Sequence, residues 1–365
     1  VKRTWKTTAV VLVLIALAGF GFAGLGFVPV DARGGHLPIT NWFLHFTMRR
    51  AVKLQARGID VPPNLGDALM QRRGAGIYAV GCASCHGAPG QPQALAGTLM
   101  TPPAPALTRE LVGKWNAAEL FWIVQNGIKY TAMPGWSALH REDEIWPVVA
   151  FLLALPHLDV RSYRALAYGD DSDAQVTAPA MDLMAVAGDT CFQCHGADGR
   201  GRDGTAPTLA GQSAVYLAES LQAYALGRRY SGVMQPLSAA LQASDVYRYA
   251  EHFAALPAAA ATTPVDALLA RRGATIARDG VAARDIPPCA SCHASGDGAR
   301  APAFPRLDGQ DVDYLTTQLR LFRASARGGT AAAALMDAAV RGLTDEELRA
   351  VAHYYAARGR EDLQP

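Results

Sequence analysis

At 365 residues, half of them hydrophobic, the chain is long enough for two or three domains, each with a core of its own. Its 34 basic side chains nearly balance 32 acidic ones, giving a net charge of +2, so nothing global points to a nucleic-acid partner. All six cysteines fall in three Cys-x-x-Cys-His units, which excludes the scattered cysteine framework of a small secreted disulfide scaffold.

Residues 9–30, "AVVLVLIALAGFGFAGLGFVPV", carry no charge. As a helix they would cover roughly 33 Å at about 1.5 Å per residue, enough to cross a bilayer. Lys2, Arg3 and Lys6 stand before them, the sign of an inward-facing N-terminus. A cleaved signal peptide is the competing reading, but the run is long for one and no clear small-x-small site follows. Gly19, Ala23, Gly24 and Gly26 are small enough for a second helix to approach. Residues 41–62 then predict a helix with a basic face of Arg49, Arg50, Lys53 and Arg57. That face is either solvated near the membrane or a docking element for lipid headgroups or a partner subunit.

"GCASCHGAPG" follows at 81–90, "CFQCHGADG" at 191–199 and "CASCHASGD" at 289–297. The spacing, roughly 100 residues, is that of a domain-sized internal repeat. Each unit is followed by a Gly/Pro-rich loop and, later, by an amphipathic helix that opens on acidic residues: "EDEIWPVVAFLLALP", "ASDVYRYAEHFAALP" and "TDEELRAVAHYYAARG". No run alternates with period two for long, so the expected fold is all-α. The second and third repeats are sisters. In them Pro207 pairs with Pro305, Gly211 with Gly309, Gln212 with Gln310, Tyr216 with Tyr314 and Leu221 with Leu319. The first is a more distant cousin. The expected organisation is an anchor at 1–30, a juxtamembrane linker and helix at 31–72, a domain at 73–160, a linker at 161–180, and domains at 181–258 and 259–365. The short second connection, "LPAAAATTPVDA", implies that the sister domains are held close.

Two thiols three positions apart on a helical turn can each add to one vinyl group of a haem, and the adjacent histidine then meets the iron. A zinc ribbon would need an even number of Cys-x-x-Cys pairs at short separation. A thioredoxin-like motif would need a strand–helix setting and has no obligatory histidine. Three copies that use every cysteine point to three covalently bound haem c groups. Cys82, Cys85, Cys191, Cys194, Cys289 and Cys292 are the expected thioether anchors, and His86, His195 and His293 the proximal ligands. A low-spin carrier needs a sixth ligand. Met133 in "KYTAMPGW", Met234 in "YSGVMQPL" and Met336 in "AAALMDAA" follow their histidines by about 47, 39 and 43 residues, each before a closing helix. Met100, Met181 and Met184 are placed less well, and His140, His252 and His353 fit a structural role better. The carbonyls of Pro207 and Pro305, and of Pro102 or Pro103 in the first domain, are expected to receive the histidine ring N–H.

The soluble part resembles class I cytochrome c domains over roughly residues 40–360. The second and third domains, with "P-x-L-x-G-Q-x-x-x-Y-L", are similar to the diheme cytochrome c4 group. The first, with "FWIVQNGIKYTAMPGW", resembles single-haem, membrane-anchored bacterial cytochromes c. One departure is that Pro302 precedes the third domain's motif whereas "GRGRDGTAP" in the second has no equivalent proline there. The resemblance implies compact all-α domains with exposed haem edges on the periplasmic side of a bacterial inner membrane. No constellation for substrate chemistry stands out. The expected function is single-electron transfer in a respiratory chain, by donation to a haem–copper terminal oxidase. One alternative is the cytochrome subunit of a periplasmic quinoprotein or flavoprotein dehydrogenase. A second is a haem peroxidase-like enzyme in which the third iron lacks its sixth ligand.

Overall fold

The computed structural model describes residues 2–28, 30–31, 34–169, 190–258, 260, 263–293 and 301–358. Among these the chain is helical throughout, with isolated bridges at Ala88–Gln91 and Val281–Ile286 and no strand. The first helix, Lys2–Gly24, is apolar on all sides from Ala9 onward. Its stretch Thr4–Gly24 has a mean hydropathy of 2.2 and buries nothing against the rest of the chain. A second helix, Pro38–Gln55, starts with proline in its first turn, where the missing N–H costs no hydrogen bond. Val52 and Ala56 are buried, and the helix lies against Ala117–Asn126 of the first domain. Ile39, Trp42, Phe43 and Phe46 recur at helical spacing and remain exposed.

The first domain is organised around a crossing of Ala68–Gly81 and Glu142–Ala154. Asp67 caps the former by accepting the Met70 N–H at 2.9 Å. Gly74 makes the crossing close, since a Cβ there would lie 1.8 Å from the Pro147 carbonyl oxygen. The third domain repeats the device. Asp266 caps Ala267–Asp279, and a Cβ on Gly273 would lie 2.0 Å from the Ala350 oxygen of Asp345–Ala357. The sequence had carried the same signal twice, as Arg-Arg-Gly-Ala at 72–75 and 271–274. Ala75, Tyr78, Val148, Val149 and Phe151 form the centre of the first core. Leu217, Val246, Ala250 and Phe253 form that of the second, between Ala214–Ala225 and Ala243–Ala255. In the third, Leu315, Val351 and Tyr355 pack in one cluster and Ile286, Phe322 and Leu348 in an adjoining one.

One expectation needs correction. The stretch 161–180 does not begin as a linker, because Val160–Tyr168 is a helix capped by Asp159 and packed on Ala68–Gly81. Tyr163 and Ala167 are fully buried in the first core. The cap and the apolar spacing of Tyr163, Leu166 and Ala167 were outweighed in the sequence by the polar run behind them. That run, 170–189, lies outside the described residues, as do Met181 and Met184 and part of the second connection.

The sister domains meet through an exchange of glutamines. Gln212 Nε2 donates to the Arg306 carbonyl at 2.6 Å, and its Oε1 accepts the Arg306 N–H at 2.9 Å. Gln310 does the same with Thr208, at 2.9 Å in both directions. Each side-chain amide thus satisfies a backbone N–H and C=O of the other domain, as buried polar groups require. The two domains are held close, as the short connection implied.

Candidate haem sites

Each Cys-x-x-Cys-His unit sits on a single helical turn. In the first, His86 N–H reaches the Cys82 carbonyl at 3.0 Å; in the third, His293 N–H reaches that of Cys289 at 2.9 Å. The second is helical across 190–195. A turn of this kind sets both thiols of a pair beside each other with the histidine at its end.

The histidines are oriented alike. The Nδ1–H of His195 donates to the Pro207 carbonyl, and that of His293 to the Pro305 carbonyl, both at 3.0 Å. In the first domain the acceptor is Pro105 at 2.8 Å, not Pro102 or Pro103. The loop there is longer, so the carbonyl comes 19 residues after His86 rather than 12 after His195 and His293. A proton held on Nδ1 leaves Nε2 with the lone pair a metal needs. His195 is buried, and burial moves its imidazole below the ordinary range, toward the neutral form.

Burial also pushes the Cys82 thiol up to about 12 and those of Cys191 and Cys289 to about 11. Among the described residues no three His, Cys, Asp or Glu side chains converge as a zinc site would need.

Met133, Met234 and Met336 are all half-buried. Met133 N–H is held by Thr131 Oγ1 at 3.1 Å and its carbonyl accepts from Ile128 at 3.2 Å. Met234 N–H is held by Ser231 Oγ at 3.0 Å. Met336 packs against the cluster of Ile286, Phe322 and Leu348. Of the histidines set aside, His353 Nδ1 accepts the Asp266 N–H at 3.0 Å, a structural role. His252 is exposed and packs on Phe192 and Phe253; His140 is exposed in a left-handed conformation.

Sequence reasoning missed a pair of buried cations. Arg229 is 3% exposed and Arg327 7%. Arg229 donates to Ser220 Oγ at 2.9 Å and to the Tyr314 hydroxyl at 3.0 Å. Arg327 donates to Gln318 Oε1 at 2.5 Å and to the Tyr216 hydroxyl at 3.2 Å. Among the described residues neither has a carboxylate in salt-bridge contact. Two buried guanidiniums between sister domains, held by hydroxyls and a side-chain amide, are costly to desolvate and fit an anionic group bound beside them. The signal was present in "GRRYSG" and "SARGGT", which follow the paired tyrosine helices at equivalent places.

The family model "Cytochrome C oxidase, cbb3-type, subunit III" matches residues 70–152, and "Cytochrome c" matches 184–247 and 270–356. A "Thiosulfate dehydrogenase electron acceptor" from Stutzerimonas stutzeri is 34% identical over 47% of this chain and 80% of its own. A cytochrome c4 from Thiocapsa roseopersicina is 33% identical over 47% of this chain and 88% of its own. The chain belongs to the c-type cytochromes. It is a multi-domain cytochrome with an oxidase subunit III-like domain followed by a c4-like diheme region. A solved cytochrome c4 from Acidithiobacillus ferrooxidans is 33% identical, covers 46% of this chain and 96% of that one, and has a TM-score of 0.41. The chain is a c4-like electron carrier rather than a catalytic enzyme, which sets aside the peroxidase alternative.

Proposed function

We propose that this cytochrome carries three haem c groups and donates single electrons to a haem–copper terminal oxidase from the periplasmic face of a bacterial inner membrane. The observation that carries the triheme reading is the repeated histidine geometry, with each Cys-x-x-Cys-His ring giving its Nδ1–H to a proline carbonyl. The cysteines 82 and 85, 191 and 194, and 289 and 292 are the thioether anchors. His86, His195 and His293 are proximal ligands, and Met133, Met234 and Met336 the distal ones. When bound, haem c supplies one-electron exchange at iron, at a potential that methionine–histidine ligation raises. The polypeptide supplies burial, ligand orientation and counter-charge. Arg229 and Arg327 are suited to face the haem carboxylates.

The apolar helix Lys2–Gly24 is the membrane anchor in this reading. The exposed Ile39, Trp42, Phe43 and Phe46, followed by Arg49, Arg50 and Lys53, suit the lipid interface, aromatic groups at headgroup level and cations on anionic lipid. Tethering raises the local concentration of the carrier near a membrane partner.

The match of residues 70–152 to an oxidase subunit supports the oxidase as partner. A second reading, in which the chain takes electrons from a periplasmic dehydrogenase, is favoured by the relative named as a thiosulfate dehydrogenase electron acceptor. Stopped-flow mixing of the reduced, detergent-purified chain with a purified cbb3-type oxidase tests the first. Oxidation of all three haems that accelerates in proportion to oxidase is expected; oxidation no faster than in buffered oxygen would overturn it.

A further inference from the structure

The closing helices all open on acidic residues, but their carboxylates do different things. Asp245 pairs with the exposed Arg248, and Asp345 with Arg320 and Arg323. Glu144, in the first domain, is buried. Its carboxylate gathers four donors. Arg141 Nη2 lies 2.7 Å from Oε1, and Trp136 Nε1 donates to Oε2 at 3.0 Å. The other two come from the second domain, where Ser231 Oγ donates to Oε1 at 2.5 Å and Gly232 N–H to Oε2 at 2.6 Å. Arg141, itself 8% exposed, also reaches the Tyr230 carbonyl at 2.6 Å.

These contacts end at Met234. Ser231 Oγ, which donates its hydroxyl hydrogen bond to Glu144, accepts the N–H of Met234 at 3.0 Å and that of Val233 at 3.3 Å. Gly232 lies against the Trp136 indole, where a Cβ would come 2.0 Å from Nε1. Trp136 is itself three residues beyond Met133. The methionine segments of the first two domains are therefore fastened to one carboxylate. In the third domain the segment before Met336, "GGTAAAAL", has no serine at the matching place, and among the described residues no carboxylate is hydrogen-bonded to it.

We propose that Glu144 is a positioning residue of the first domain that holds Met234 of the second in place for its iron. This rests on the reading of Met234 as a distal ligand. Burial pushes the Glu144 carboxyl above its usual range, and Arg141 opposes that shift. The proposal stands on the four contacts. It makes the first domain a structural part of the second haem site, so the c4-like pair in this chain differs from a free-standing one on its methionine side.

The test uses the full-length, haem-loaded chain in detergent and reads the methionine–iron charge-transfer absorption during titration with imidazole, which competes for the distal position. Met234→Ala is the reference and removes about a third of that absorption if three irons carry methionine. If Met234→Ala leaves the absorption unchanged, the ligand assignment itself fails. Given the expected loss, Glu144→Gln lowers the imidazole concentration that displaces the second domain's methionine about tenfold, the cost of weakening hydrogen bonds to a charged group. Asp245→Asn, at the sister position, leaves the titration where it is. Should Glu144→Gln fail to accumulate with haem, Ser231→Ala, which removes only the hydroxyl between the carboxylate and the Met234 amide, carries the same expectation. Titrations of the loaded variants that superimpose on the parent, while Met234→Ala shows its loss, overturn the proposal.

Discussion

Glu347 shows how much a single side chain does at the third domain's surface. It closes the capping box of Asp345–Ala357, accepting the Thr344 N–H at 2.8 Å, and it receives both Nη groups of Arg284. The Arg284 hydrogen bonds are the main cause that takes its carboxyl from 4.5 down to about 2. A carboxyl depressed by folding contributes stability that is fully present above its unfolded pKa and is lost as the pH falls through its folded one. The window here runs from about 4.5 down to about 2. Thermal melts across that window should show Glu347→Gln less steeply acid-sensitive than the parent, with the two differing most at its upper end and above. Parallel acid profiles would show that the pair contributes nothing.

At the scale of elements, the first and third domains depend on one close helix crossing each. Gly74 against Pro147 and Gly273 against Ala350 leave no room for a methyl group. Gly74→Ala and Gly273→Ala should each destabilise their own domain by about 1–3 kcal/mol, the usual cost of overpacking a tight contact, even though alanine favours a helix. Denaturant melts that follow each domain separately check this; a gain in stability at either site would contradict the crossing. The closing helices were legible in the sequence because apolar spacing and acidic first turns agree. The helix Val160–Tyr168 was not, since only nine residues carry its pattern and a polar stretch follows directly. The glycine crossings were legible in principle, in a repeated Arg-Arg-Gly-Ala that the longer match between the second and third domains overshadowed.

At the scale of the whole molecule, what the sequence carried and what it did not divide on physical lines. Covalent chemistry leaves a local signature, so the Cys-x-x-Cys-His units, their histidines and the acceptor carbonyls of Pro207 and Pro305 could be read without a structure. The first-domain acceptor was placed two or three residues early, because loop length cannot be counted from a carbonyl that every residue has. Contacts between domains leave no periodicity. Gln212 and Gln310 looked like a family resemblance between repeats, and only their exchange shows that each serves the other domain. Arg229 and Arg327 stand at equivalent places in the two repeats, but nothing local marks them, or Glu144, as buried, since burial of a charge depends on what another domain brings to it.

Electron transfer, methionine ligation and the positioning by Glu144 all require three haems on the chain. The most direct measurement is the intact mass of the full chain purified from a host that matures c-type cytochromes, taken with its iron content. A mass excess of three haem groups that survives denaturation, with three irons per chain, is expected. A chain without that excess, or one holding zinc in place of iron, would contradict it.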